Sequence, residues 1–182
     1  MKFLKQISIL IVSLIVLVLI IALFVEKEYD VNRSVNISKS NSEVFDYVKN
    51  LRNLDNYAVW QKKDPNVIQT YAGTDGEVGS KYTWASDHEE VGNGEQEVIA
   101  IDENNCVDFA LRFKTPMEME AQAYMLTKGH ESGNSTDVTW GFKGESAYPW
   151  NFFMLFIDMD EQLGPDLQEG LDNLKVLMES ND

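Results

Sequence analysis

The chain has 182 residues, room for one ordinary domain, and carries a formal charge of −15. Lys2 and Lys5 are the only charged side chains before Glu26, which leaves thirteen basic against thirty acidic side chains in the rest, a net of −17. That excess argues against a nucleic-acid partner, whose affinity rests on cations displacing counterions, while four Trp, nine Phe and seven Tyr argue against a disordered acidic chain.

Residues 7–25 hold only two polar side chains, Ser8 and Ser13, in nineteen positions. A helix of that length rises about 28 Å, close to the ~30 Å of a bilayer's hydrocarbon. The run is longer than the apolar part of a cleavable signal, and no small-residue pair follows Ala22. The expectation is an uncleaved single-pass anchor in the cell membrane, preceded by a short cytoplasmic tail, residues 1–6. Lys2 and Lys5 before the span place the N-terminus inside and the acidic domain, residues 26–182, on the non-cytoplasmic side.

Residues 29–37 alternate with a period near two and predict a strand beginning about three residues past the span. Ser40 or Asn41 caps a helix that presents Val44, Phe45, Val48 and Leu51 on one face. A second helical turn, 54–60, ends before Asp64-Pro65. Strands follow at 67–72, 78–85, 96–102, 107–114, 117–127 and 136–145, separated by turn residues such as Gly73-Thr74-Asp75-Gly76 and Thr115-Pro116. From Pro149 the apolar spacing of three or four predicts a long helix, interrupted or kinked at Gly164-Pro165. Antiparallel strands in a run, with helices segregated to one side, define an α+β domain.

Four stretches carry a resemblance: VNISKSNSEVFDYVKNLRNLDNYAVW, GTDGEVGSKYTW, GNGEQEVIAIDENNCVDFALRF and the terminal LGPDLQEGLDNLKVLME. Across residues 29–180 the chain resembles the START-like, polyketide cyclase/dehydrase and lipid-transport superfamily (SRPBCC), to which the birch pollen allergen family also belongs. The resemblance implies a helix-grip fold, a curved antiparallel sheet around a long C-terminal helix, with an elongated apolar cavity between them. Its ligand would be a hydrophobic small molecule or lipid. Candidate lining residues are Trp60, Tyr82, Trp84, Phe109, Tyr124, Trp140, Phe142, Met154 and Ile157, any of which also serves as plain core. Tyr124 is out of phase with Met119, Ala121, Ala123 and Met125, so one set faces outwards. Gly164 and Gly170 on the closing helix would leave room for the cavity, while Trp150, Phe153, Met154 and Phe156 would fill it.

No catalytic residue, metal or cofactor is assigned. His88 and His130 fall in polar loops without a second histidine or a cysteine at ligand spacing. Cys106 is the one cysteine, which rules out an internal disulfide, and it lacks a nearby cation to activate it. Arg112 is read as a sheet-surface charge paired with a neighbour such as Asp108. Asp158, Asp160 and Glu161 are read as a solvated face of the closing helix, and His88-Glu89-Glu90 as a solvated loop. Asn-x-Ser/Thr sequons at Asn32, Asn36 and Asn134 matter only in a eukaryotic secretory cell. The leading expectation is a membrane-anchored, non-catalytic carrier of a lipophile. The alternatives are a cyclase or dehydratase using a tyrosine or carboxyl proton donor, and a filled, ligand-free domain that contacts other proteins.

Overall fold

A computed structural model describes residues 2–131 and 133–180. Met1, Ser132, Asn181 and Asp182, which fall in the expected tail, the last hairpin turn and the C-terminal end, lie outside it. The apolar run forms α1 (Lys2–Ala22), of which Phe3–Ala22 is long and apolar enough to cross a membrane. It projects from the body, and only its last turn, ending at the buried Ala22, is covered.

Seven antiparallel strands form one sheet in the order β1-β7-β6-β5-β4-β3-β2. They are β1 (Glu28–Ile37), β2 (Ile68–Ala72), β3 (Lys81–Ala85), β4 (Asn93–Asp102), β5 (Cys106–Thr115), β6 (Met119–Gly129) and β7 (Thr136–Glu145). Strand β3 is shorter than the expected 78–85, and Val78 is exposed. A bulge in β4 between Val98 and Ala100 keeps both apolar rows inward while the strand bends.

Between β1 and β2, α2 (Asn41–Val48) starts at a full capping box. Ser40 accepts from the Glu43 N–H and the Glu43 carboxylate accepts from the Ser40 N–H, which satisfies two otherwise free donors. Val44, Phe45 and Val48 face the core. A 3-10 turn (Leu51–Asn53), α3 (Leu54–Tyr57) and a second 3-10 turn (Trp60–Lys62) complete this layer.

The closing helix α4 runs Met159–Glu179, starting ten residues later than the sequence pattern suggests. Asp158 caps it, accepting from the N–H groups of Asp160 and Glu161 at 2.9 and 3.3 Å. Pro165 lies inside the helix and does not end it. It is the seventh helical residue, nearly two turns in, so the helix continues without the bond that an N–H there would make to the Glu161 carbonyl. Leu167, Leu171 and Leu174 are fully buried under the sheet, and α4 lies along β1 beside α3. The residues before it form a 3-10 stretch (Trp150–Leu155) with a different attachment.

Candidate functional site

Inward side chains follow from the strand register. Tyr71, Tyr82, Gln96, Leu111, Ala121, Gly144 and Tyr29 form one row across the sheet, Trp84, Gly94, Phe113 and Met119 the next. Between these rows and α4 lies a cavity of about 320 Å³. That is the share of about ten waters and falls at the lower end of small-molecule sites. Its walls are Tyr82, Trp84, Leu111, Phe113, Met119, Ala123, Trp140, Phe142 and Tyr29 from the sheet, Leu54 and Trp60 from the helical layer, and Met159, Leu163 and Leu167 from α4. Val67, Glu90 and Val91 complete it from the loops.

The aromatic walls hold one another. Tyr82 stacks on Trp84 with ring centres 5.7 Å apart, and Trp84 meets Phe113 edge-on at 5.7 Å. Across the cavity Trp140 sits edge-on to both Tyr57 and Trp60, at 5.5 and 5.6 Å. Such edge and offset pairs keep a ring in one orientation. The indole N–H of Trp84 donates to the Val91 carbonyl at 3.2 Å, which draws the loop over β3.

Two polar features stand out. Gln96 is buried, 8% exposed, and its carboxamide makes no hydrogen bond to the described residues while facing the cavity. At the β2 end, the Asp55 carboxylate accepts from Gln69 at 3.0 Å and from the Tyr71 hydroxyl at 2.8 Å, and Gln69 also reaches the Tyr82 hydroxyl at 3.3 Å. Burial, and then the Asp55 partner, push the Tyr71 phenol upward. Asp55 is thus engaged by neutral donors. Glu90 is the only carboxylate among the lining residues, and neither histidine is among them.

Of the expected lining residues, Trp60, Tyr82, Trp84, Trp140 and Phe142 are brought together around this space. The other four are not. Phe109 faces inward between Val98 and Ala123 but is closed off in the core. Tyr124 lies on the outer face of the sheet over Gly141, where a Cβ would collide with its ring. Its hydroxyl donates to Asp30 at 2.9 Å and the Lys143 ammonium sits 4.6 Å from the ring centre. Burial, followed by the Asp30 contact, pushes this phenol up to about 12. Met154 and Ile157 precede α4, in the stretch that the pattern had placed on the helix.

The glycines of α4 also differ from expectation, because each admits a side chain and neither opens the cavity. A Cβ at Gly170 would lie 2.6 Å from the Trp140 ring, and one at Gly164 would strike the Arg33 guanidinium. Arg33 makes a two-pronged pair with Asp160, 2.7 Å on each prong, which ties β1 to the first turn of α4. Asp158 and Asp160 are therefore a cap and an ion-pair partner, beyond the solvated role expected of them. Arg112 pairs across the outer face with Glu95 and Glu97 at 2.8 and 2.7 Å, with Lys81 alongside, and not with Asp108. Asp108 lies four residues back along the same strand, opposite Ala100, whereas Glu95 is directly opposite Arg112.

Sequence reasoning missed Gln96 and the α4 pair Met159 and Leu163. Gln96 occupies an inward position two residues before Val98, so a polar residue in an apolar phase was the available signal. Cys106, half-buried, has its thiol pushed up to about 11 by burial and then by Asp108. Among the described residues no cluster of three His, Cys, Asp or Glu could hold a metal ion.

No protein-family profile matches the chain, and no curated protein matches it by sequence. Solved structures do match in fold. A protein from Nitrosospira multiformis superposes with a TM-score of 0.59 at 15% identity, covering 85% of this chain and 100% of its own. A point mutant of norcoclaurine synthase from Thalictrum flavum, in complex with a transition-state analogue, gives 0.63 at 10% identity, covering 85% and 96%. The protein Ara h 8.0201 gives 0.54 at 13%, covering 85% and 99%. These likenesses establish the class: an α+β helix-grip fold of the Bet v1/START-like kind, preceded by one long apolar helix.

Proposed function

We propose that this chain is a membrane-anchored helix-grip domain that holds a hydrophobic small molecule or lipid, without catalysis, in the cavity under α4. The observation that carries the reading is a space of about 320 Å³ walled by aromatic rings with one unpartnered carboxamide, Gln96, facing it. A carbonyl or hydroxyl on an otherwise apolar ligand would find a hydrogen-bonding partner in that carboxamide. The ligand class that fits is a lipophile with one hydrogen-bonding group. Glu90 is the one acid in the lining; its loop neighbours His88 and Glu89 do not line the cavity, and the Glu90 backbone N–H donates to His88 Nδ1 at 3.3 Å.

The anchoring half of the reading rests on α1. Twenty residues from Phe3 to Ala22 rise about 30 Å, the thickness of bilayer hydrocarbon, and their side chains are exposed along nearly the whole length. Lys2 and Lys5 orient it with the domain outside the cytoplasm. Native mass spectrometry of the full chain released from detergent tests the binding half. A co-purified lipophile is expected on the wild type and is expected to disappear in Leu163→Trp, whose indole would fill the cavity from α4. A bare wild-type mass from cells, unchanged on adding fatty acids or fatty alcohols, sinks the reading.

A further inference from the structure

Residues 147–157 read Ala-Tyr-Pro-Trp-Asn-Phe-Phe-Met-Leu-Phe-Ile, eleven in a row without a charge in a strongly acidic chain. Apart from Asn151, none of them is buried. Phe156 is 74% exposed, Trp150 66%, Leu155 54% and Phe153 50%. Their rings pack on one another, Trp150 on Phe153 at 6.1 Å and Phe152 against Phe156 at 5.5 Å, and not on the core. Leu23 and Phe24, just past the end of α1, are exposed as well.

What holds this segment is the end of α1. The last carbonyls of a helix have no partner within it, and in lipid such groups are expensive to leave open. Asn151, itself fully buried, donates to the carbonyls of Ala22 at 2.7 Å and Val25 at 2.9 Å. Tyr148 reaches the Leu19 carbonyl at 3.4 Å. The segment is therefore fixed at the depth where α1 ends, with its aromatic side chains turned away from the protein.

We infer that residues 147–157, with Leu23 and Phe24, form an apolar foot that inserts into the bilayer interface beside the anchor. This rests on α1 being a membrane span. The occupant is lipid because the element that holds the segment is the membrane helix. At the level where a 30 Å span emerges, Trp and other amphipathic rings are favoured, and an uncharged patch of this extent is unusual on a free surface. A second attachment point stops the body from swinging on its stalk. It also fixes the near end of the cavity: Asp158 follows the foot directly, and Met159, next in the chain, lines the cavity.

The test uses the full chain, with Cys106→Ser, in phosphatidylcholine nanodiscs. An environment-sensitive fluorophore is placed on Phe153→Cys or Phe156→Cys in the foot, on Leu14→Cys in mid-span, or on Val176→Cys, exposed on α4. Expected at 153 and 156 are blue-shifted emission and loss of emission with lipids spin-labelled near the headgroup. Position 14 should respond to lipids labelled deep in the tail, and position 176 to neither. Quenching at 14 without quenching at 153 and 156 overturns the foot and leaves the anchor standing. No quenching at 14 overturns the anchor, and the foot with it. Blue shift at 153 that grows with the number of chains per disc, unquenched by lipid, assigns the patch to a second copy and overturns the proposal.

Discussion

The molecule holds two aromatic clusters of similar chemistry and opposite fate. Trp60, Tyr82, Trp84, Phe113, Trp140 and Phe142 stand around a partly open cavity, while Trp150, Phe152, Phe153 and Phe156 pack side by side on the surface. Most of the first set sit on strands whose alternate residues are charged: Lys81, Glu95, Glu97, Arg112 and Lys143 all point the other way. The period of two gives each ring an inside and each charge an outside. The second set has no such alternation, no paired strand and no apolar stripe of helical period facing the core. Aromatic content therefore does not decide burial. The backbone's offer of a polar opposite face does.

The contrast is sharpest in two tryptophans. Trp140 is 6% exposed and wedged against Tyr57, Trp60 and Gly170, so Trp140→Ala is expected to cost about 3–5 kcal/mol. Trp150→Ala, at 66% exposure, is expected to change stability by less than about 0.5 kcal/mol. Denaturant titration of the full chain in mild detergent measures both. Losses of similar size would show that the surface cluster is a second core and break the distinction.

Between these extremes lies Asn151, buried but in the surface segment. Asn151→Ala removes two hydrogen bonds and leaves the Ala22 and Val25 carbonyls without that donor. A loss of about 1–2 kcal/mol is expected, together with greater mobility of a spin label at Phe24→Cys. An unchanged spin-label spectrum would mean that the foot is not fastened to α1 through this side chain.

The fold was legible where periodicity and capping agree. The alternation of Val107, Phe109, Leu111 and Phe113, and of Val138, Trp140 and Phe142, marks real strands, and Ser40 with Glu43 marks a real helix start. The closing helix was misjudged at its front because Trp150, Phe153, Met154 and Ile157 are spaced by three or four, as helical core residues are, and spacing alone cannot tell a core face from a lipid-facing one. Asp158, followed by Asp160 and Glu161, was the better boundary mark, since an aspartate cap with acids in the first turn suits a helix start. The cavity was only partly legible. Strand phase identifies the inward residues, but which of them meet open space depends on Gly170 receiving Trp140 and on the bulge in β4, and both are matters of tertiary fit. Tyr124 shows the same limit, because an outward ring that is covered by Asp30 and Lys143 has the burial of a core residue without its position.

The smallest effect is expected where the two clusters meet, at the first turn of α4. The Arg33 guanidinium hydrogen-bonds Asp160 and holds its carboxyl below the usual aspartate range. A depressed carboxyl contributes stability that is fully present above its unfolded value, about 3.9, and that is lost as pH falls through the folded value. Wild-type melting temperature should therefore be insensitive to this pair from about pH 5 to 8 and should decline below about pH 4. Glu95 and Glu97, held low by Arg112 and Lys81, lose stability in the acid range too, so the wild-type curve alone does not isolate the pair. The difference between wild type and Asp160→Asn does. It should be constant near neutrality and shrink in acid, as the wild-type carboxyl takes up its proton and resembles the amide. A difference that persists unchanged to pH 3 would mean that the variant disturbs the helix start through the Asp158 cap, and that the Arg33 pair does not fasten α4 to β1.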